Sequence, residues 1–150
     1  MLDLYAELRQ IVQALDAAGI PYALAGGLAV SIYTTPRATE DIDILIARAD
    51  LERVVQTLKP VGFRPAGRPM QVAAGRMEIR RLTKIDGADL LPLDLLTPVD
   101  PALVALLMDR VSREIEGGQV WVVGLVALRA LKRLRGSALD RADLEALGPE

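Results

Sequence analysis

The sequence predicts an α/β (α+β) fold: a small mixed β-sheet with flanking helices and a helical C-terminal tail. Two short apolar runs, residues 22–25 and 42–46, are bounded by breakers and read as buried strands. Apolar stripes at helical spacing flank them, before Gly19 and again from Ala49 to Lys59. Alternating residues 77–85 and the apolar run 90–96 surround an Asp86-Gly87 turn signal, the pattern of an antiparallel hairpin. At 150 residues the chain is expected to form one domain, with a core over about 20–98 and a helical part over about 100–150.

Composition narrows the chemistry. The chain is 51% hydrophobic but only 3% aromatic, so Leu, Val, Ile and Ala must fill its interior. There are no cysteines and no histidines, which removes disulfides, thiolate metal sites, His-ligated zinc and imidazole acid–base catalysis. Chemistry must rest on carboxylates, Lys, Arg, hydroxyls or a bound metal. Eighteen basic against 20 acidic residues give a net charge of -2, with no bulk attraction to nucleic acid. No apolar run reaches the ~18 residues of a membrane span, and no signal-peptide layout is visible, so a soluble cytoplasmic protein is expected, without a membrane partner.

Along the chain, Asp3 caps a helix running to about Ala18, with Leu4, Leu8, Ile11, Val12 and Leu15 on one stripe; Gly19 and Pro21 end it. After the strand at 22–25, Gly26-Gly27 turns the chain into about two helical turns, Leu28 to Tyr33, which Pro36 closes. The strand at 42–46 leads to a helix capped by Asp50, with Leu51, Val54, Val55 and Leu58 inward. Residues 65–75 read as a mobile loop, since Pro65, Gly67, Pro69 and Gly75 punctuate them. Asp100-Pro101 opens a helix through Met108 to about Val111, and Gly117-Gly118 breaks the chain before the apolar run 120–123. Helices over 125–134 and 138–147 finish it.

The chemistry concentrates at residues 22–46. On a strand, i and i+2 side chains share a face and lie ~6.6 Å apart, so Asp41 and Asp43 project together while Ile42 points into the core. Two like charges so close need a cation or strong donors. Mg²⁺ suits oxygen ligands that leave room for water and phosphate. The Gly26-Gly27 turn can bring backbone N–H groups close to an anion at a helix N-terminus. Asp94, in Leu-Pro-Leu-Asp-Leu-Leu, is an acid inside an apolar strand and the candidate third carboxylate; Asp89, beside the turn, is the alternative. Pro92 keeps open an edge-strand reading of Asp94.

The stretch resembles the signature of the nucleotidyltransferase superfamily with the polymerase-beta-like fold: an apolar strand, Gly-Gly, then Asp-x-Asp. It is most similar to the minimal nucleotidyltransferases and the AbiEii-type toxins, whose shared string appears as Gly26-Gly27-Leu28-Ala29 and Arg37-Ala38-Thr39-Glu40-Asp41-Ile42-Asp43. The tail resembles the family's helical ending in Lys132 and Asp140-Arg141-Ala142-Asp143-Leu144.

The resemblance implies transfer of a nucleoside monophosphate from an NTP to an acceptor, with pyrophosphate released. Asp41 and Asp43 would bridge two Mg²⁺ ions (Mn²⁺ as a substitute) and Asp94 would bind the metal that activates the acceptor hydroxyl. Gly26 and Gly27 would face the β- and γ-phosphates, and Lys132 would reach the triphosphate or simply lie on a solvated helix face. Arg37 would meet the phosphates or anchor its loop, and Thr39 would brace the strand. Leu28 stands where many relatives carry Ser, leaving Ser31 as the nearby hydroxyl, and Thr34 stands where the closer group often has Gly. The acceptors implied are a tRNA 3′ end, a protein or a small molecule, with a cognate antitoxin as a further partner. The alternative is a non-catalytic, nucleotide-binding regulatory module of the same fold.

Overall fold

The computed structural model describes residues 1–34 and 41–149. Helix α1 (Leu4–Ala17) begins where the Asp3 carboxylate accepts the Tyr5 N–H, and buries Leu8, Ile11, Val12 and Leu15. Strand β1 (Tyr22–Ala25) runs into α2 (Gly26–Tyr33), and β2 (Ile42–Ile46) is buried at every position. A 3-10 turn at Arg48–Asp50 precedes α3 (Leu51–Leu58). Asp50 stands at the predicted cap position, but its carboxylate accepts from Arg53 at 3.2 Å instead of from a backbone N–H.

Next come β3 (Arg64–Pro65), β4 (Met70–Val72) and the long pair β5 (Met77–Asp86) and β6 (Asp89–Pro98). The expected loop at 65–75 therefore carries one short strand, β4, while β3 falls on the extended segment expected at 62–66; both are recruited by the edge of β5. The hairpin turn lies one residue later than its sequence signal, because Asp86 pairs with Asp89 across Gly87-Ala88.

The C-terminal part departs from an all-helical reading. Helix α4 (Pro101–Val104) is only four residues long and gives way to a 3-10 turn at Ala105–Leu107. Strands β7 (Arg110–Ile115) and β8 (Gly118–Val123) follow as an antiparallel hairpin. Its turn is Glu116-Gly117, at φ of 49° and 82°, the left-handed pair that a two-residue hairpin loop requires. The Gly117-Gly118 break expected before the apolar run 120–123 is thus the corner of a hairpin. Helices α5 (Leu125–Arg135) and α6 (Ala138–Leu147) do form at the expected places.

Among the described residues the strands make one mixed sheet, ordered β3-β5-β6-β2-β1-β8-β7 with β4 also on β5. β1 and β2 are antiparallel, whereas β2 runs parallel to β6 and β1 parallel to β8. Both strands of the signature stretch therefore lie inside the sheet, and Ile42, Ile44, Leu45 and Ile46 have no exposed surface. Helix α2 packs on β2, α5 and α6, and α1 packs on α3. No helix among the described residues is long and apolar enough to cross a membrane.

Candidate active site

The site assembles where β1 ends and β2 begins. Ala25 pairs with Asp43, so the chain leaves β1 beside that carboxylate and turns at once into α2. Gly26 makes the turn at φ +65°, and a Cβ there would overlap the Asp43 carboxylate, 2.6 Å from its Cγ and 2.8 Å from its Cβ. The residue must be glycine for two separable reasons, a left-handed backbone and an occupied space. The first turn of α2, with its unpaired N–H groups, is thereby laid against an acid.

Asp43 and Asp94 are register partners on the parallel strands β2 and β6, and Asp41 lies just before β2. One carboxylate oxygen from each of the three lies within 4.8 Å of the others. β6 pairs with β5 on one side and β2 on the other, so Asp94 is not on an edge. Pro92 is tolerated because the β2 pairing starts one residue later, at Leu93, where a strand N–H is first needed. Asp89 is elsewhere, accepting the Leu2 N–H at 2.9 Å.

Asp43 is 7% exposed. Burial first, then the neighbouring charges of Asp41 and Asp94, push its carboxyl up to about 7, with Arg135 and Lys132 pulling the other way. A hard divalent cation fits this donor set: oxygen ligands only, crowded, and with one carboxyl made unwilling to ionise alone.

The strongest partner of the triad is a residue that the sequence reading did not single out. Arg81 lies opposite Asp94 across the β5–β6 ladder. Its Nε and Nη2 donate to the two Asp94 oxygens at 2.8 and 2.9 Å, and Nη2 lies 3.9 Å from Asp41 Oδ2. The Asp94 hydrogen bonds raise the guanidinium's pKa further. The fork is bidentate, the geometry that makes Arg–carboxylate pairs strong.

The remaining predicted residues divide. Gly27 is the second residue of α2, and its carbonyl accepts the Ser31 hydroxyl at 3.0 Å, so that hydroxyl is turned back into its own helix. Lys132 is neither on a solvated face nor a free cation. It is 4% exposed, with Nζ 3.3 Å from Asp140 and 2.9 Å from Asp143. The Asp-x-x-Asp motif of α6 thus holds Lys132, whose charge still reaches Asp43. Burial alone would raise the Asp140 carboxyl, but the Ser137 hydroxyl, Arg135 and Lys132 together hold it low. Arg37 and Thr39 lie outside the described residues.

Two cavities flank the triad. One of about 560 Å³ is lined by Asp41, Arg81, Asp89 and the apolar Leu2, Leu90 and Pro92. The other, of about 410 Å³, is lined by Arg68, Arg81, Arg135, Asp94, Asp140, Ser137 and apolar residues of β4 and β5 such as Met70 and Ile79. Each is large enough for a small-molecule ligand.

Among curated proteins, none matches this sequence. Solved structures do share the fold. A Thermotoga maritima protein described as a nucleotidyltransferase is 16% identical, with a TM-score of 0.65 over 92% of this chain and 88% of its own. ANT(2'')-Ia, in complex with adenylyl-2''-tobramycin, gives 15% identity and a TM-score of 0.61, covering 95% of this chain and 86% of its own. The lincosamide antibiotic adenylyltransferase LnuA, lincomycin-bound, gives 15% identity and 0.58, covering 95% and 94%. The model of a family described as uncharacterised nucleotidyltransferase matches residues 2–126, which take in every strand of the sheet and all three carboxylates of the triad, and the chain belongs to that family.

Proposed function

We propose that this nucleotidyltransferase is Mg²⁺-dependent and moves an NMP from an NTP to the hydroxyl of a small molecule. The observation that carries the reading is the Asp41–Asp43–Asp94 cluster, within 4.8 Å, on adjacent strands beside the helix that starts at Gly26. Asp41, Asp43 and Asp94 would hold Mg²⁺, which when bound neutralises phosphate charge and acidifies a hydroxyl. Gly26 and Gly27 offer backbone N–H groups to the β- and γ-phosphates at the start of α2. Asp94, only 13% exposed, takes the proton of the acceptor hydroxyl on a carboxylate oxygen. The acceptor oxygen bonds to the α-phosphorus, the bond from that phosphorus to its bridging oxygen breaks, and pyrophosphate leaves.

The size of the two cavities supports a small acceptor, as does the net charge of -2, which favours no long RNA footprint. Two neighbours of the fold carry antibiotics or their adenylyl products in their structures, in keeping with this class. The toxin-group resemblance makes a tRNA 3′ end or a partner protein the competing acceptor. Purified protein with each labelled NTP, Mg²⁺ or Mn²⁺, total tRNA, cell protein and a small-molecule extract separates them. Label is expected on small molecules and is lost in Asp41→Asn/Asp43→Asn. Label on RNA or protein would overturn the acceptor class, and no label at all would leave the non-catalytic alternative.

A further inference from the structure

Arg81 occupies the place of a counter-ion in a site built for a cation. Its fork takes one hydrogen bond to each oxygen of Asp94, so it competes with a metal for that carboxylate while the pair is closed. Yet the side chain is 48% exposed, long and flexible. Among the described residues, Arg81 is also the one that lines both cavities beside the triad. A guanidinium so placed has two stable partners, a carboxylate on one side and an incoming anion on the other.

The direction of its movement follows from charge. The 560 Å³ cavity already presents Asp41 and Asp89, which disfavour an anion. The 410 Å³ cavity presents Arg68 and Arg135 beside Asp94 and Asp140, so Arg81 turned toward it sets three guanidiniums against two carboxylates on its wall. With Asp94 taken by a metal and Asp140 held by Lys132 and Ser137, the three guanidiniums leave an excess of positive charge that favours a polyanion. A polyphosphate is the ligand whose charge and oxygen spacing match such a wall, and guanidinium forks suit its planar oxygen pairs.

Resting on the transferase reading above, we propose that Arg81 is an exchangeable counter-ion: it holds the triad together without metal, and a divalent cation displaces it from Asp94 into the 410 Å³ cavity, where it binds the polyphosphate of the substrate and then of the product. Metal and polyphosphate therefore favour the same arrangement of Arg81, and each tightens the binding of the other.

Titration calorimetry with Mn²⁺ alone, and with magnesium pyrophosphate, tests the exchange on the intact chain of wild type, Arg81→Met and Arg81→Lys. Removing a competing bidentate cation should tighten Mn²⁺ binding in Arg81→Met by about tenfold, while pyrophosphate binding weakens by about tenfold. Arg81→Lys keeps the charge but not the fork, so it should fall between the two for Mn²⁺ and retain most of the pyrophosphate affinity. Shifts of opposite sign are the signature, because a merely structural role for Arg81 would weaken both ligands together. Unchanged or weaker Mn²⁺ binding in Arg81→Met, or unchanged pyrophosphate binding, overturns the exchange. Such a result beside normal NMP transfer leaves the transferase reading standing. Opposite shifts in a protein that transfers nothing would support the exchange and remove that reading instead.

Discussion

Replacing Gly26 by Ala tests how the site is built, because it combines two separable costs. The first is conformational: a non-glycine residue at φ +65° costs roughly 1–2 kcal/mol. The second is steric. The new Cβ would overlap Asp43 Oδ2 outright and stand 2.6 Å from its Cγ, whereas ordinary contact begins at 3.4 Å, so the carboxylate must retreat by at least about 0.8 Å. Asp43 is buried and paired in register with Asp94, so the shift propagates through the triad instead of into solvent. A misplacement of about 1 Å near reacting groups costs on the order of 10²-fold in rate. Gly87→Ala supplies the control: it has nearly the same φ, +61°, but no atom within 4 Å of its added Cβ. Urea unfolding, Mn²⁺ calorimetry and NMP transfer should be run on both. Both variants should lose about 1–2 kcal/mol of stability, and only Gly26→Ala should also lose Mn²⁺ affinity and about 10²-fold in transfer. Transfer within about twofold of wild type in Gly26→Ala would refute the argument, since it would mean that Asp43 has free room to move.

Further outcomes follow from the same geometry. Asp94→Asn removes the proposed proton acceptor and metal ligand and should cut transfer by at least about 10²-fold in single-turnover assays, with the fold retained by circular dichroism. Lys132→Met removes the cation between the buried carboxylates of Asp140 and Asp143 and should cost about 3–5 kcal/mol in urea unfolding. Adding Asp140→Asn and Asp143→Asn should recover most of that loss, and a surface-like effect under about 1 kcal/mol would contradict the buried network. In EDTA, thermal stability should fall from about pH 4 to pH 7 through Asp43. Its folded carboxyl is raised to about 7 from 3.8, so the native state binds more protons in this window and loses stability as pH rises through it. Asp43→Asn should flatten that slope, and Mn²⁺ affinity should rise with pH over the same range because the ligand must lose its proton.

The signature strands were legible because their information is local. An apolar run, two glycines and a proline place β1, α2 and β2 without reference to the rest of the chain. Asp94 was legible for a similar reason: a carboxylate flanked by leucines demands a partner wherever the strand lies. Arg81 was not, because its role depends on register. Taking Asp86-Gly87 as the turn residues sets Ile79 opposite Asp94; the actual turn, one residue later, moves every pairing by two and brings Arg81 there. Lys132 misled for the opposite reason. Its basic neighbours suggest a solvated face, but α6 covers it with two acids that sequence spacing alone does not aim. The β7–β8 hairpin was hidden by Gly117-Gly118, which reads as a break until Glu116 is allowed the left-handed conformation that makes a corner.

That hairpin matters to the chemistry. β8 pairs with β1 in parallel, so β1 is an interior strand and not the edge of the sheet. The backbone between β1 and α2 is then held on both sides, by Asp43 through β2 and by β8. Arg110 of β7 donates to the Tyr22 carbonyl at 2.9 Å, and the Tyr33 hydroxyl at the end of α2 donates to the Val123 carbonyl at 2.8 Å. Both ends of the β1–α2 unit are thus tied to the C-terminal hairpin, far from the signature in sequence. A turn that is to bind phosphate, as proposed for Gly26, must present its N–H groups without reorganisation, so its anchorage would be part of the site. The residues after 98 that look like a tail are, in this fold, the wall against which the signature stretch is set.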